Sequence, residues 1–215
     1  MNKTDSIIDK NKKLYFAIKR VFDIFSSIFG CIFFLLLTGI VKTLYVFSGD
    51  KAPIIYFQIR VGKDGKPFKL FKFRSMVPNA DAVLSEILQQ ESYRKQWENS
   101  QKIANDPRVT KIGKVLRRFS LDEVPQFINI IKGDMSLVGP RPLLVGELTD
   151  HGGSPLYNTV KPGLTGWWAC NGRSRISYRE RLELEYYYVN HCSLYLDIIC
   201  IIKTIFVVLK RDGAE

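Results

Sequence analysis

The sequence predicts an α/β chain, mostly helical with a small β-hairpin or sheet, attached to a membrane from one side. Three observations predict this. From Ile24 to Val41 the chain is apolar and carries no charge. Basic residues flank that run on both sides: Lys10, Lys12, Lys13, Lys19 and Arg20 before it, and Lys42, Lys51, Arg60, Lys63, Lys66, Lys69, Lys72 and Arg74 after it. The remaining residues show short alternating and helical apolar patterns, as a soluble domain does.

The apolar run measures about 27 Å as a helix, at ~1.5 Å per residue. That is close to the ~20 residues of a crossing segment. Ile32, Phe33, Phe34, Leu35, Leu36 and Leu37 leave it no polar face, unlike the helix of a soluble core. A secretory signal peptide fits less well, because no small-residue cleavage site follows. Positive residues beside a membrane segment tend to stay cytoplasmic. A simple span satisfies one flank; a re-entrant helix, which enters the bilayer and returns, satisfies both. Thr38-Gly39 is the expected bend, since Gly weakens a helix interior by about 1 kcal/mol and Thr can bond back to a carbonyl. Asp23 is expected at the interface, paired with Arg20 on the same helical face.

Composition narrows the function classes. The 215 residues hold 32 Lys and Arg against 21 Asp and Glu, a formal charge of +11. Such a surface attracts anions: nucleic acid, anionic lipid or a phosphorylated substrate. No nucleic-acid-binding module is recognisable, and the apolar element argues against that partner. Cys31, Cys170, Cys192 and Cys200 have no paired spacing, which fits a reducing compartment better than a disulfide scaffold. His191-Cys192 lacks the second ligand pair of a zinc site.

After a turn at Asp50 to Pro53, Ile54-Ile55-Tyr56-Phe57 reads as a strand. Gly62, Asp64 and Gly65 mark a reversal, and Phe68 to Phe73 alternates. The hairpin puts Phe68, Leu70 and Lys72 on one face, with Lys72 and Arg74 at the end of the second strand, where they could point into a site. Asp81 to Lys102 reads as a surface helix. Asp106-Pro107-Arg108 opens a new unit, in which Val109, Ile112, Val115, Leu116 and Phe119 recur at helical spacing and Lys111, Lys114 and Arg118 share the opposite face.

Ser120-Leu121-Asp122-Glu123 has the form of a capping box, with Ser120 as N-cap and Glu123 at N3. That reading accounts for Glu123 and leaves Asp122 near a helix N-terminus, where a carboxylate stays ionised. An ionised carboxylate can attack phosphorus, with adjacent cations offsetting the repulsion between two anions. Gly139-Pro140-Arg141-Pro142 is either a Pro-rich turn or a rigid loop presenting one guanidinium, whose planar fork suits phosphate oxygens. Lys161 to Gly172, with Trp167-Trp168, has loop composition and is followed by Arg173, Arg175 and Arg179. Arg179 to Asn190 reads as a helix. Leu194 to Leu209 reads as either a core helix or an amphipathic one lying in the membrane plane.

In order, these elements resemble the bacterial sugar transferase family, the monotopic phosphoglycosyl transferases that begin lipid-linked glycan and polysaccharide assembly. The resemblance runs from Lys19-Arg20-Val21-Phe22-Asp23 to the C-terminus. Its strongest blocks are Arg60-Val61-Gly62 with Lys72-Phe73-Arg74-Ser75-Met76, Asp106-Pro107-Arg108 with Ser120 to Gln126, Gly133 to Pro142, and Lys161 to Trp167. It implies transfer of a sugar 1-phosphate from a UDP-sugar to polyprenyl (undecaprenyl) phosphate, releasing UMP. Asp122 would be the nucleophile that forms a phosphosugar intermediate, and Glu123 would assist metal binding or proton handling. Mg²⁺ is the implied cofactor, with Asp122 and Glu123 as its protein ligands. Arg141 would grip phosphate, and Lys72, Arg74, Arg108 and Arg118 are assigned to the same anionic site.

The same resemblance sets the expected organisation: residues 1–49 as the N-terminal segment and re-entrant helix, and 50–215 as a catalytic domain on the cytoplasmic face of the inner membrane. Larger relatives carry extra transmembrane helices and a soluble insert, so the chain reads as the minimal catalytic unit. The family breaks its re-entrant helix, often at Ser-Pro, whereas this run has Thr38-Gly39 and no proline. Trp167-Trp168-Ala169-Cys170 also departs from a common Trp-Ala-Gln-Val. The ending Arg211-Asp212-Gly213-Ala214 hints at a hexose such as galactose or glucose. The expected partners are the UDP-sugar, the polyprenyl phosphate and membrane lipids, with no nucleic acid; a homodimer is compatible with the sequence, which shows no interface. The alternative function is a catalytically inactive, membrane-attached scaffold of the same fold, against which the intact Asp122-Glu123 pair argues.

Overall fold

The computed structural model describes residues 10–100, 103–171 and 176–210. Arg173, Arg175 and the 211–214 ending lie outside them. The chain opens with one long helix, α1 (Lys10–Phe47). Its 38 residues extend about 57 Å at ~1.5 Å each. The helix is continuous through the expected bend: Thr38 Oγ1 donates to the Phe34 carbonyl and Thr43 Oγ1 to the Gly39 carbonyl, without ending it. Among the described residues it is the one helix long and apolar enough to cross a membrane.

One stripe of α1 is buried. Tyr15, Lys19, Asp23, Ser27, Gly30, Leu37, Val41 and Tyr45 follow it at mostly three- and four-residue steps, the spacing that keeps side chains on one helical face. Most of the remaining surface is exposed and apolar, including Phe22, Phe25, Phe29, Ile32, Leu36 and Ile40. The stripe meets the rest of the protein along its whole length. At Gly30 a Cβ would enter the Phe127 ring, so only glycine allows this approach to α5 (Gln126–Lys132).

Asp23 departs from expectation. It is 2% exposed and accepts from Ser136 Oγ (3.0 Å) and the Leu137 N–H (2.8 Å), rather than pairing with Arg20. Arg20 donates instead to the Ile130 and Ile131 carbonyls near the C-terminal end of α5, where the partial negative charge of a helix end attracts a cation. One turn before Asp23, Lys19 Nζ lies 2.7 Å from Asp197 Oδ2. Tyr15 and Tyr188 hydroxyls complete that carboxylate at 3.0 and 2.6 Å.

Strands β1 (Ile55–Val61) and β2 (Pro67–Phe73) form the antiparallel hairpin, with Tyr56 opposite Lys72 and Arg60 opposite Phe68. Asp64 (φ 57°) and Gly65 (φ 75°) make its reversal. Asn129 of α5 clamps β2 by donating to the Lys69 carbonyl and accepting from the Phe71 N–H. The expected helix from Asp81 to Lys102 is two helices, α2 (Ala80–Ile87) and α3 (Glu91–Ser100). Between them Gln89 and Gln90 N–H groups bond three residues back, the tighter pattern that closes a helix. The basic helix is α4 (Lys111–Arg118).

A second sheet is absent from the sequence reading: β3 (Ser136–Val138) pairs in parallel with β4 (Gly163–Thr165). Gly139, Gly163 and Gly166 let the two backbones touch, since a Cβ at any of them would strike the facing main chain. The short α6 (Glu147–Asp150) follows β3. The expected loop at Trp167 is a helical turn, α7 (Trp167–Asn171). Then come α8 (Tyr178–His191) and α9 (Leu194–Lys210). Helix α9 has two faces. It buries Leu196, Asp197 and Cys200 and exposes Tyr195, Ile198, Ile202, Ile205 and Phe206.

Asp197→Ala should cost about 3–5 kcal/mol, because it leaves the Lys19 ammonium buried without its partner. Thermal unfolding in detergent measures this, and the double change Lys19→Met with Asp197→Leu should recover most of the loss.

Candidate active site

The site forms where β2 ends against the segment joining α4 to α5. Thr110 caps α4, its Oγ1 accepting from the Gly113 N–H at 2.9 Å. Gly113 rests directly on the Ser75 carbonyl, with no room for a Cβ. These contacts fix α4 beside the end of β2. Below, Leu37, Val41 and Tyr45 of α1 form a core with Phe73, Leu116 and Val124, against which Leu121 packs. The turn Leu121–Glu123 thus sits on α1 through the residues flanking its two acids.

Ser120 does not cap this turn. It is left-handed (φ 54°), and its side chain makes no capping bond; an N-cap needs extended dihedrals to aim its hydroxyl. Among the described residues a capping box lies instead at Ser177 and Glu180, at the start of α8. Glu123 instead reaches across to β2, where Lys72 Nζ lies 2.8 Å from its Oε1 and 4.0 Å from Asp122 Oδ2. Burial pushes the Asp122 carboxyl above the usual range; Lys72 and Arg117 oppose that rise and Glu123 adds to it. Arg117, which the sequence reading passed over for Arg118, also donates from Nε to Ser75 Oγ at 2.9 Å. Its position one residue beyond the buried Leu116, toward the inner face of α4, was the available signal.

The other basic candidates go elsewhere. Arg74 is 7% exposed and donates to Asp50, to the Pro53 and Met76 carbonyls, and lies over the Tyr45 ring. Arg108 forms a paired contact with Asp106 and lies over Trp97. Both hold the segments around the site. Arg118 is exposed, near the Phe119 ring.

Arg141 belongs to a second polar cluster. Its exposed side chain lies 5.6 Å from the Trp168 ring centre, and Arg181 approaches the same ring at 4.8 Å. Arg60 is buried nearby, donating to the Pro142 carbonyl at 3.1 Å. Burial and the charge of Arg141 lower Arg60 to about 10, so it stays cationic at neutral pH. Glu147 offsets the charge, 3.9 Å from Arg60 and 3.4 Å from Arg181. Tyr56, opposite Lys72, stands four residues before Arg60 on β1, or about 13 Å at ~3.3 Å per residue. One hairpin therefore spans from the Asp122 pair to the Arg141 cluster. Glu185 is also part of this cluster, and sequence reasoning gave no signal for it inside an ordinary helical pattern.

The profile of the bacterial sugar transferase family matches residues 14–211. The chain is 45% identical over 199 residues to a UDP-galactose-lipid carrier transferase of Erwinia amylovora, and 43% identical over 199 residues to an undecaprenyl-phosphate galactose phosphotransferase of Salmonella typhimurium. Each match covers 92% of this chain and 41% of the relative, so the chain spans about two-fifths of those proteins. The exopolysaccharide production protein ExoY of Sinorhizobium fredii is 41% identical over 202 residues, covering 91% of this chain and 87% of that protein. This chain belongs to the bacterial sugar transferase family.

The acid pair also suits the cation that the family implies. Mg²⁺ prefers oxygen ligands and binds through one or two carboxylates together with substrate phosphates. Asp122 and Glu123 offer two neighbouring carboxylates, the first raised by burial and further by the charge of the second. Among the described residues no group of three or more His, Cys, Asp and Glu forms a complete cage. The donor set fits a Mg²⁺ shared with phosphate oxygens.

Burial, opposed by Arg141 and its neighbours, raises Glu185 to about 7. The folded state therefore holds this proton more tightly than the unfolded chain, and stability falls as pH climbs from the usual carboxylate range to about 7. Glu185→Gln removes that loss. It should stabilise the protein above pH 7 by about 3 kcal/mol and flatten the pH dependence, as read from unfolding at pH 5 and pH 8.

Proposed function

We propose that the protein is an enzyme moving a hexose 1-phosphate from a UDP-sugar to polyprenyl phosphate, releasing UMP. The observation that carries this reading is the Asp122 carboxylate, half-enclosed beside Glu123 and Lys72 on a turn seated on an apolar helix. The names of the relatives, which specify galactose and undecaprenyl phosphate, support the same substrate class.

Asp122 attacks the phosphorus that bears the sugar, and the bond to the bridging oxygen breaks. That oxygen leaves with UMP, and the sugar phosphate stays on the Asp122 carboxylate. An oxygen of the lipid phosphate then attacks the same phosphorus, returning Asp122 as a carboxylate and leaving the sugar on a lipid diphosphate. Lys72 holds Glu123 and draws the approaching phosphate, while Arg117 adds further positive charge near Asp122. Asp122 and Glu123 would hold Mg²⁺, which supplies charge neutralisation at the diphosphate when bound. Arg141 is the fork that grips the diphosphate.

The membrane reading is that α1 is monotopic, with both of its ends on the cytoplasmic face of the inner membrane. Contacts from Tyr15 to Tyr45 tie the two ends to the same domain. A helix standing upright across the bilayer would pull that domain in with it. Both flanks of α1 and the exposed apolar face of α9 instead rest on one leaflet, which brings the lipid phosphate to Asp122.

Detergent-purified protein should release UMP from one member of a UDP-sugar panel when given polyprenyl phosphate and Mg²⁺. Asp122→Asn should lower that rate by roughly 10³-fold or more with unfolding unchanged; an active Asp122→Asn protein removes the nucleophile assignment. Asp122 must be ionised to attack, and its carboxyl is raised, so kcat/KM should fall with acid at a pH above the ordinary carboxylate range. Lys72→Ala should shift that limb further upward. In sealed cells, single cysteines placed near the N-terminus and after Lys51 should label from the same side; labelling from opposite sides defeats the monotopic arrangement.

A further inference from the structure

Four of the five buried side-chain polar atoms without a hydrogen-bond partner among the described residues belong to the Arg141 cluster: Arg60 Nε, Trp168 Nε1, Arg181 Nε and Glu185 Oε2. The main chain at its centre is the reverse, fully engaged. Proline has no N–H, so Arg141 supplies the one N–H of the Pro140-Arg141-Pro142 triplet. That N–H donates to Glu185 Oε1 at 3.0 Å. The three carbonyls of the triplet accept from the Gly163 N–H, the Tyr157 hydroxyl and Arg60 Nη1, at 2.8, 2.9 and 3.1 Å. The Tyr157 hydroxyl also lies 3.4 Å from Glu185 Oε1. Every polar backbone group of the loop is tied down, and the Arg141 side chain alone extends into solvent.

We propose that Glu185 is the positioning residue of this loop, setting the Arg141 guanidinium over Trp168 to receive the donor's diphosphate. The inference rests on the donor reading given above. Glu185 is 1% exposed, 44 residues from Arg141 on α8, and has one oxygen unpaired. A buried carboxyl with a partner for only one oxygen costs stability, so folding alone does not account for it. Its two contributions are separable. Oxygen Oε1 fixes the Arg141 N–H, and the carboxylate charge offsets the mutual repulsion of Arg60, Arg141 and Arg181. Gln retains the first and loses the second; Ala loses both.

The test compares Glu185→Ala, Glu185→Gln and Arg141→Ala in steady-state UMP release, with the unfolding temperature of each recorded. Glu185→Ala should raise the donor KM about tenfold while kcat changes less than about threefold. Glu185→Gln should restore KM to within about threefold of wild type. Adding Glu185→Ala to Arg141→Ala should raise KM no further, because both act through one guanidinium. Should Glu185→Ala fold poorly, Tyr157→Phe, which removes the bond to the Arg141 carbonyl, should raise KM in the same direction. A lower unfolding temperature with donor KM unchanged, in Glu185→Ala or Tyr157→Phe, overturns the inference and leaves the donor reading intact. A wild type that releases no UMP from any donor overturns both.

Discussion

The fold depends on one constraint: a helix that is apolar on most sides must still be gripped along its length by a charged domain. Polar residues on the buried stripe of α1 solve this. Lys19 meets Asp197 of α9, Asp23 meets the start of β3, and the Tyr45 hydroxyl donates to the Arg74 carbonyl at 2.6 Å. Each is a directional bond in an otherwise non-directional interface, so they fix rotation and register while the intervening apolar residues supply burial. Leu37, Val41 and Tyr45 then carry that register to Leu121 and Val124, on either side of the acid pair.

Charge is distributed unevenly around that frame. Near Asp122 the acids and cations are close to balance, with Lys72 reaching both carboxylates and Arg117 adding a second positive charge. Around Arg141 three guanidinium groups face two carboxylates, one of them buried. In the proposed reaction the first arrangement would keep a carboxylate usable as a nucleophile, and the second would offer a positive surplus to an anion. The short β1–β2 hairpin joins them, and Asn129 holds its second strand to α5 with bonds that do not depend on strand length.

The parts legible in the sequence were those with a period or an uncommon residue. The eighteen uncharged residues of α1, the alternation of β2 and the helical spacing of α4 and α8 each imposed a pattern long enough to read. The Asp122-Glu123 pair stood out because a capping box explains only one of its acids. Ser120 misled because the capping signature records residue types and cannot record the left-handed backbone that disables it. Strands β3 and β4, three residues each, are too short for alternation to show, and their pairing follows from glycines far apart in the chain. Asp23 and Glu185 were illegible for another reason: their partners lie on other elements, and nothing local marks which neighbour a charged side chain will choose.

The polar anchors of α1 also set a problem of timing. The ribosome delivers α1 before the elements that grip it: the partner of Asp23 lies 113 residues later and that of Lys19 lies 178 residues later. Until those partners emerge, the nascent helix carries an unpaired aspartate and lysine beside its greasiest stretch. Lipid headgroups and interfacial water can solvate both if the newborn helix lies flat, and neither can if it has plunged through. The grip on Lys19 is therefore completed only when α9 emerges and Asp197 arrives to neutralise it.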